Sequence, residues 1–358
     1  MSLLYKPDWE ETKQRYLAWW HGEYFGRCAL SVTARREGTE RRQPLTAPDD
    51  PVARWTDLSY LVDLNDYEHA TTYWGGEAFP AWSGGYPGHT AIPAFLGCPT
   101  DLDHVTGWWN PILPEDEWDV TKLRLQTEGR WWRFAVELLY TAAEASQGKS
   151  IPSVGAFGGC GDTLAALRGT QALLYDCIEQ PEKVAAAEPW LMDMWCGVYE
   201  TFQSILHRPG RGCTCWFSLW APEPFYAAQC DFAYNISPAM FRELFLPTVE
   251  RQTRFLKYTV YHLDGIGNFV HLPAVLEVPG LQAIQVVPGA GKPSALHYLD
   301  LLRKVQAAGK NLVITLSPEE VKDALGALSA KGLLIETSCP TEGEARELVK
   351  AVAGWSRP

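Results

Sequence analysis

The sequence predicts an α/β fold in one domain spanning residues 1–358: a (β/α)8 barrel of the TIM type with an N-terminal helical extension and long irregular insertions. Three observations point there. Strand-like apolar runs alternate with amphipathic helical stretches, strand follows strand at about 25 residues in the C-terminal third, and the C-terminal ends of the runs are far more polar than their beginnings. Eight such runs can be placed, at 27–33, 78–82, 151–157, 212–219, 258–263, 281–287, 311–316 and 332–337. Barrels of this kind carry their chemistry at the C-terminal strand ends.

From the N-terminus, a helical extension leads into the first run, "RCALSVT". The second, "AFPAW", lies in an irregular stretch between Pro44 and Pro114 that sets no clear pattern. The third, "IPSVGAF", follows a helical stretch at 130–146 and enters a glycine-rich turn before helical stretches at 162–179 and 181–206. The fourth, "GCTCWFSL", alternates Cys213, Cys215, Phe217 and Leu219 on one face with Thr214, Trp216, Ser218 and Trp220 on the other. The first face belongs under helices, which makes the Cys-x-Cys spacing core and leaves Trp220 to line a pocket. A helical stretch at 237–257, capped by Ser237, leads to "YTVYHL".

The last three runs are separated by clear helices. "SALHYLDLLRKVQAAGK" aligns Leu296, Leu299, Leu302 and Val305 and stops at Gly309. "SPEEVKDALGALSAKG" opens with Ser317, Pro318 and Glu320 as a capping box, and Thr341 with Glu344 repeats the device before the terminal helix.

Composition narrows function. Apolar residues make up 46% and charged residues 21% of the 358, as in an ordinary globular chain. A net charge of −12 without a basic stripe argues against nucleic acid or an anionic membrane as partner. The apolar runs fall short of the roughly 20 residues that span a bilayer. The nine cysteines are scattered and odd in number, and no signal-peptide layout opens the chain, so free thiols in the cytoplasm are expected. Sixteen tryptophans, many before residue 133, either fill packing under loops or line an aromatic cleft. Trp74, Trp82, Trp108 and Trp109 are the N-terminal candidates for such a cleft.

The strand ends supply the site candidates. His262 and Asp264 leave one strand on the same face, and a buried face tolerates such a pair only when its charge is answered. Gln285 ends the next strand. Glu336 and Ser338 share one face of "LLIETSC" and Thr337 and Cys339 the other, which turns Glu336 inward. Asp231 follows Cys230 in the loop before Ser237, placed to bond a substrate, orient His262 or cap a turn. Arg168 sits in the helix after "GGCGDT", in reach of a ligand carboxylate or a neighbouring acid. Asp162 reads as a helix cap, and His271 as structural.

Longer motifs carry a family resemblance. "GAFGGCGDTLAALRGTQALLYD", the following "EQPEKV", "QCDFAYNISPAMFRELFLPTVERQ" and "YHLDG" resemble the uroporphyrinogen decarboxylase superfamily over most of residues 150–355. The resemblance implies a (β/α)8 barrel. The decarboxylases' arginine-rich N-terminal motif and pyrrole-holding aspartate segment are missing, so the zinc-dependent methyltransferase branch is the one implied. That branch moves a methyl group between a corrinoid and a thiol, holding zinc on His-x-Cys and a later Cys. Here the matching residues are His262, Asp264 in place of the first cysteine, and Cys339.

The expectation is therefore a small-molecule methyltransferase, with His262 and Asp264 as the catalytic centre, His262, Asp264 and Cys339 as zinc ligands, and Trp220, Asp231, Gln285, Arg168 and Glu336 around the substrate. Methylcobalamin would come from a partner corrinoid protein. A metal-free lyase acting on a small carboxylic acid, held by Arg168 or Arg35, and a non-catalytic binding barrel are the alternatives.

Overall fold

The computed structural model describes residues 2–82, 91–114 and 116–358. Its principal sheet contains β1 (Ala29–Arg35), β2 (Thr72–Gly76), β5 (Phe225–Gln229), β6 (Tyr258–Asp264), β7 (Ala283–Val287), β8 (Asn311–Thr315) and β9 (Leu333–Ser338); β3 (Thr100–Leu102) and β4 (Gly107–Trp109) form a separate hairpin. The order across the main sheet is β2-β1-β9-β8-β7-β6-β5, parallel throughout except for β2, which runs antiparallel to β1. The central runs "NLVIT" and "LLIETS" are buried through most of their length, as strands covered on both faces are.

The expected eight-stranded ladder is corrected at three places. Residues 78–82, 151–157 and 212–219 form no extended strands; Ala81 bridges Ile151 and Ser153 bridges Thr214, each as an isolated parallel pair. Pro80 and Pro152 remove the N–H groups that a ladder needs there. Cys213 turns back to pair with Ala221, which ends the fourth run as a strand. In its place stands β5, which the sequence pattern did not single out. The hydrogen-bonded sheet is thus a seven-stranded, mostly parallel α/β layer, consistent with a barrel-like fold.

The helical stretches marked in the sequence are helices with two breaks, and the stretch left without a pattern also holds the helices Pro51–Thr56, Leu58–Thr71 and Ile92–Phe95. The stretch 162–179 divides at Gly169, whose φ of 90° is outside helical space, into Asp162–Arg168 and Thr170–Glu179. The stretch 237–257 passes through a π-helical turn, Phe241–Phe245, before Leu246–Phe255. Pro247 has no N–H to return to the preceding turn, and the wider turn absorbs that loss. Ser317 and Glu320 form their capping box, and Thr341 accepts from the Glu344 N–H at 3.2 Å. Among the described residues no helix is long and apolar enough to cross a membrane.

The helix Trp9–Trp20 covers the N-terminal ends of the strands. Trp19 Nε1 donates to the Gly332 carbonyl at 3.0 Å, just before β9, and Asn311 at the start of β8 donates back to the Trp19 carbonyl at 2.6 Å. Trp20 packs against Phe225 and Tyr258, which open β5 and β6, and donates to the Trp220 carbonyl at 2.9 Å. Trp9, Tyr16, Phe79 and Trp220 complete an aromatic plug. These tryptophans fill packing at the end opposite the polar strand tips.

One buried acid has a consequence for stability. Glu188, in the helix Pro181–Leu206, is fully buried and accepts the Gly161 N–H with both oxygens, at 3.1 and 3.2 Å. Burial pushes its carboxyl up to about 8 from the ordinary 4.5. Unfolded chains release this proton near 4.5 and folded ones only near 8, so folding stability falls as pH rises through that window, by about 1.4 kcal/mol per pH unit. Glu188→Gln is expected to stabilise the protein at pH 8 and to flatten the pH dependence of its urea midpoint between pH 5 and 8. An unchanged slope would show that Glu188 ionises in the fold.

Candidate functional site

Three neighbouring strands bring one residue each to the same level: Gln229 of β5, His262 of β6 and Gln285 of β7 are direct partners in register. His262 Nδ1 hydrogen-bonds to Gln285 Oε1. A carboxamide oxygen only accepts, so Nδ1 donates to it and Nε2 is turned toward Asp264. Gln285 also hydrogen-bonds to the Glu336 carboxyl, which accepts from Thr315 Oγ1 at 3.2 Å and is raised chiefly by burial. The amide is held at both ends, so the imidazole is fixed through it. Trp216 meets the ring edge-on, with centroids 5.1 Å apart and planes at 89°.

The rest of the site is acidic. Alternation along β6 places Asp264 beside His262, with Oδ2 3.9 Å from Nε2. Its other oxygen, Oδ1, is buried without a hydrogen-bond partner. Gly265 follows with φ of 81°, turning the chain sharply off the strand; a Cβ there would stand 3.0 Å from the Tyr234 ring. From the loop after β5, Asp231 faces the same space. Gln229 Nε2 donates to Asp231 at 3.3 Å and to Asp162 at 3.1 Å, and the Phe232 N–H donates to Asp162 at 2.9 Å. Burial first, then the charges of Asp162 and Asp264, push Asp231 up to about 8; Asp162 is raised mainly by burial. Asp231, His262 and Asp264 offer ligand atoms within 4.8 Å of one another, a group able to hold a metal ion.

These residues line a cleft of about 710 Å³ at the C-terminal ends of β5 and β6, with Trp109, Pro111, Ala156, Thr170, Phe232 and Asn235 also on its walls. That volume suits a small molecule.

The structure therefore brings together His262, Asp264 and Asp231, with Gln285 behind the imidazole and Glu336 one hydrogen bond further back. Three expected residues lie elsewhere. Trp220 is buried in the plug at the opposite end, its Nε1 donating to the Arg211 carbonyl at 2.8 Å, because residues 212–219 do not continue as the strand that would have aimed it inward. Arg168 is tied into a buried ion pair with Asp176 at 2.7 Å and donates to the Pro114 carbonyl, pointing out of the cleft. Cys339 is buried three strands from β6, where its N–H extends the β1–β9 pairing onto the Thr33 carbonyl at 2.8 Å, and it stands outside the metal-capable group. Arg35 is engaged with the Thr39 carbonyl. His271, read as structural, bonds the Ala233 carbonyl at 2.8 Å.

Of the four N-terminal tryptophans, Trp109 reaches the cleft; Trp108 is exposed, Trp82 is buried and Trp74 bonds the His69 carbonyl. Sequence reasoning missed Asp162, Gln229 and Trp216 as site residues. Asp162 had a signal in its place after Gly161, which the helix-cap reading absorbed.

No family model matches the chain, and no curated protein does. Among solved structures, a methyltransferase from Methanosarcina mazei is similar at 14% identity and a TM-score of 0.63, covering 96% of this chain and 98% of that one. At that identity the likeness is one of fold, and it extends along nearly the whole of both chains.

Proposed function

We propose that this chain is a metal-dependent methyltransferase acting on a small molecule in the cleft, with Asp231, His262 and Asp264 as the ligands of a divalent cation. The observation that carries the reading is the convergence of one oriented imidazole and two carboxylates at the strand tips, with Asp264 Oδ1 buried and partnerless. The likeness in fold to a methyltransferase supports the reaction class. The resemblance to the uroporphyrinogen decarboxylase superfamily, closure of the wall into a full (β/α)8 barrel and a corrinoid protein as methyl carrier belong to the same reading.

The residues present fit a cation. Metal–ligand distances near 2.1 Å require ligand atoms roughly 3–3.5 Å apart. The present spacing, 3.9 Å between His262 Nε2 and Asp264 Oδ2 and at most 4.8 Å across the three, closes to that by small side-chain rotations of both aspartates. One nitrogen and two oxygens suit zinc or a harder divalent ion, not the thiolate-rich set that the resemblance implied. When bound, the cation supplies Lewis acidity and neutralises the mutual repulsion of the acids.

The chain's own residues prepare the site. Gln285 holds the proton on Nδ1, so that Nε2 faces the ligand position. Gln229 bridges Asp162 and Asp231 and fixes their separation. Trp216 and Trp109 wall the chamber. The lyase alternative loses support, because neither Arg168 nor Arg35 lines the cleft to hold a carboxylate.

Metal analysis tests the proposal directly. Protein purified without chelator is expected to hold one equivalent of a divalent cation, and chelation should remove methyl transfer from methylcobalamin until the metal is restored. Metal-free protein with full activity would overturn it.

A further inference from the structure

The cleft's lining is one-sided in charge. It carries three carboxylates, Asp162, Asp231 and Asp264, and among its described residues neither lysine nor arginine. A divalent cation on Asp231, His262 and Asp264 balances two negative charges and leaves one, on Asp162. Facing the chamber are the indoles of Trp109 and Trp216, while Ala156, Ala165, Ala166 and Gly169 leave room beside them.

Such walls discriminate strongly. An anionic ligand would enter a negative chamber with no cation of the chain to meet it. A neutral polar ligand would gain hydrogen bonds only at the few polar edges. A cation whose charge is spread over methyl groups needs no hydrogen-bond acceptor. It is attracted by indole faces and by a carboxylate at longer range, and its bulk fits between small side chains.

We propose that the organic ligand of this cleft is a cation of the methylated-ammonium class. This rests on the cleft being the reaction chamber proposed above, and it names the substrate class of that chamber.

The test compares choline with its neutral isostere 3,3-dimethylbutan-1-ol and with the anion pivalate, by calorimetry on the full-length protein with its metal content recorded. Choline is expected to bind about tenfold or more tighter than the isostere, the size of a desolvated cation–aromatic contact, and pivalate not at all. Trp216→Leu should erase most of that preference while leaving the weak binding of the alcohol, and Asp162→Asn should weaken choline alone. Equal binding of choline and the alcohol, tighter binding of pivalate, or no binding of choline would overturn the proposal. The wild-type comparison alone decides, so a variant that fails to fold does not rescue it. Choline preference in protein that holds no metal supports this inference and overturns the metal centre; metal-loaded protein without the preference does the reverse.

Discussion

His262→Ala is expected to abolish both metal uptake and turnover while leaving the fold intact. The side chain supplies the single nitrogen of the proposed ligand set, and alanine would leave two carboxylates facing each other with nothing to hold the cation between them. Equilibrium dialysis and a methyl-transfer assay read the two effects separately, and the urea midpoint guards against a trivial loss of structure. Two further variants separate ligation from packing. Gln285→Ala keeps the imidazole but frees its ring, and should weaken the metal by about 10–100-fold, the usual cost of losing such an orienting partner. Asp264→Cys restores the thiolate found in the resembling branch and should keep or tighten zinc. Were His262→Ala to retain wild-type metal content and activity, the pair would be structural and the proposed metal centre wrong.

Arg168→Ala is expected to destabilise the protein by roughly 3–5 kcal/mol without changing ligand affinity. The guanidinium lies buried against Asp176, with Nε 2.7 Å from the carboxylate, and also satisfies the Pro114 carbonyl. Removing it strands a carboxylate that is itself only 3% exposed, with Gln180 at 3.3 Å as its remaining contact. Denaturant titration measures the loss, and calorimetry with metal or choline checks that binding is preserved. A substrate-holding arginine would give the opposite pattern: weaker binding, unchanged stability.

The contrast shows which parts of the molecule the sequence made legible. His262 and Asp264 could be read because two local facts suffice: alternation puts them on one face, and the strand-to-glycine transition marks a C-terminal end. Gln285 and Glu336 were expected around the substrate; they turn inward but stand behind the imidazole, outside the cleft lining. Trp220 and Cys339 failed because their directions depend on where the chain leaves its strand, which is set by a pairing many residues away. The run "GCTCWFSL" looks more strand-like than "FYAAQ", yet the second is β5 and the first folds back on Ala221. With that exchange Trp220 moves to the closed end and Trp216 to the open one. Arg168 was ambiguous in principle, since nothing local distinguishes an arginine that meets a ligand from one that meets Asp176.

The tryptophan-bearing helix at the N-terminus bears on how the chain is made. Its bonds to Gly332 and Asn311 join residues separated by 313 and 292 positions, and β1 pairs with β9 in the same region. Residues 9–20 are therefore made about 300 positions before the partners they bind. Until then their large indoles have no permanent cover, and the wall between β1 and β9 cannot form. Ring closures this long are slow to find, and partly folded chains with exposed apolar surface are the species that aggregate. The aromatic plug that stabilises the finished protein therefore ties completion of the native state to the synthesis of β8 and β9 and leaves the nascent chain dependent on protection until those strands are released.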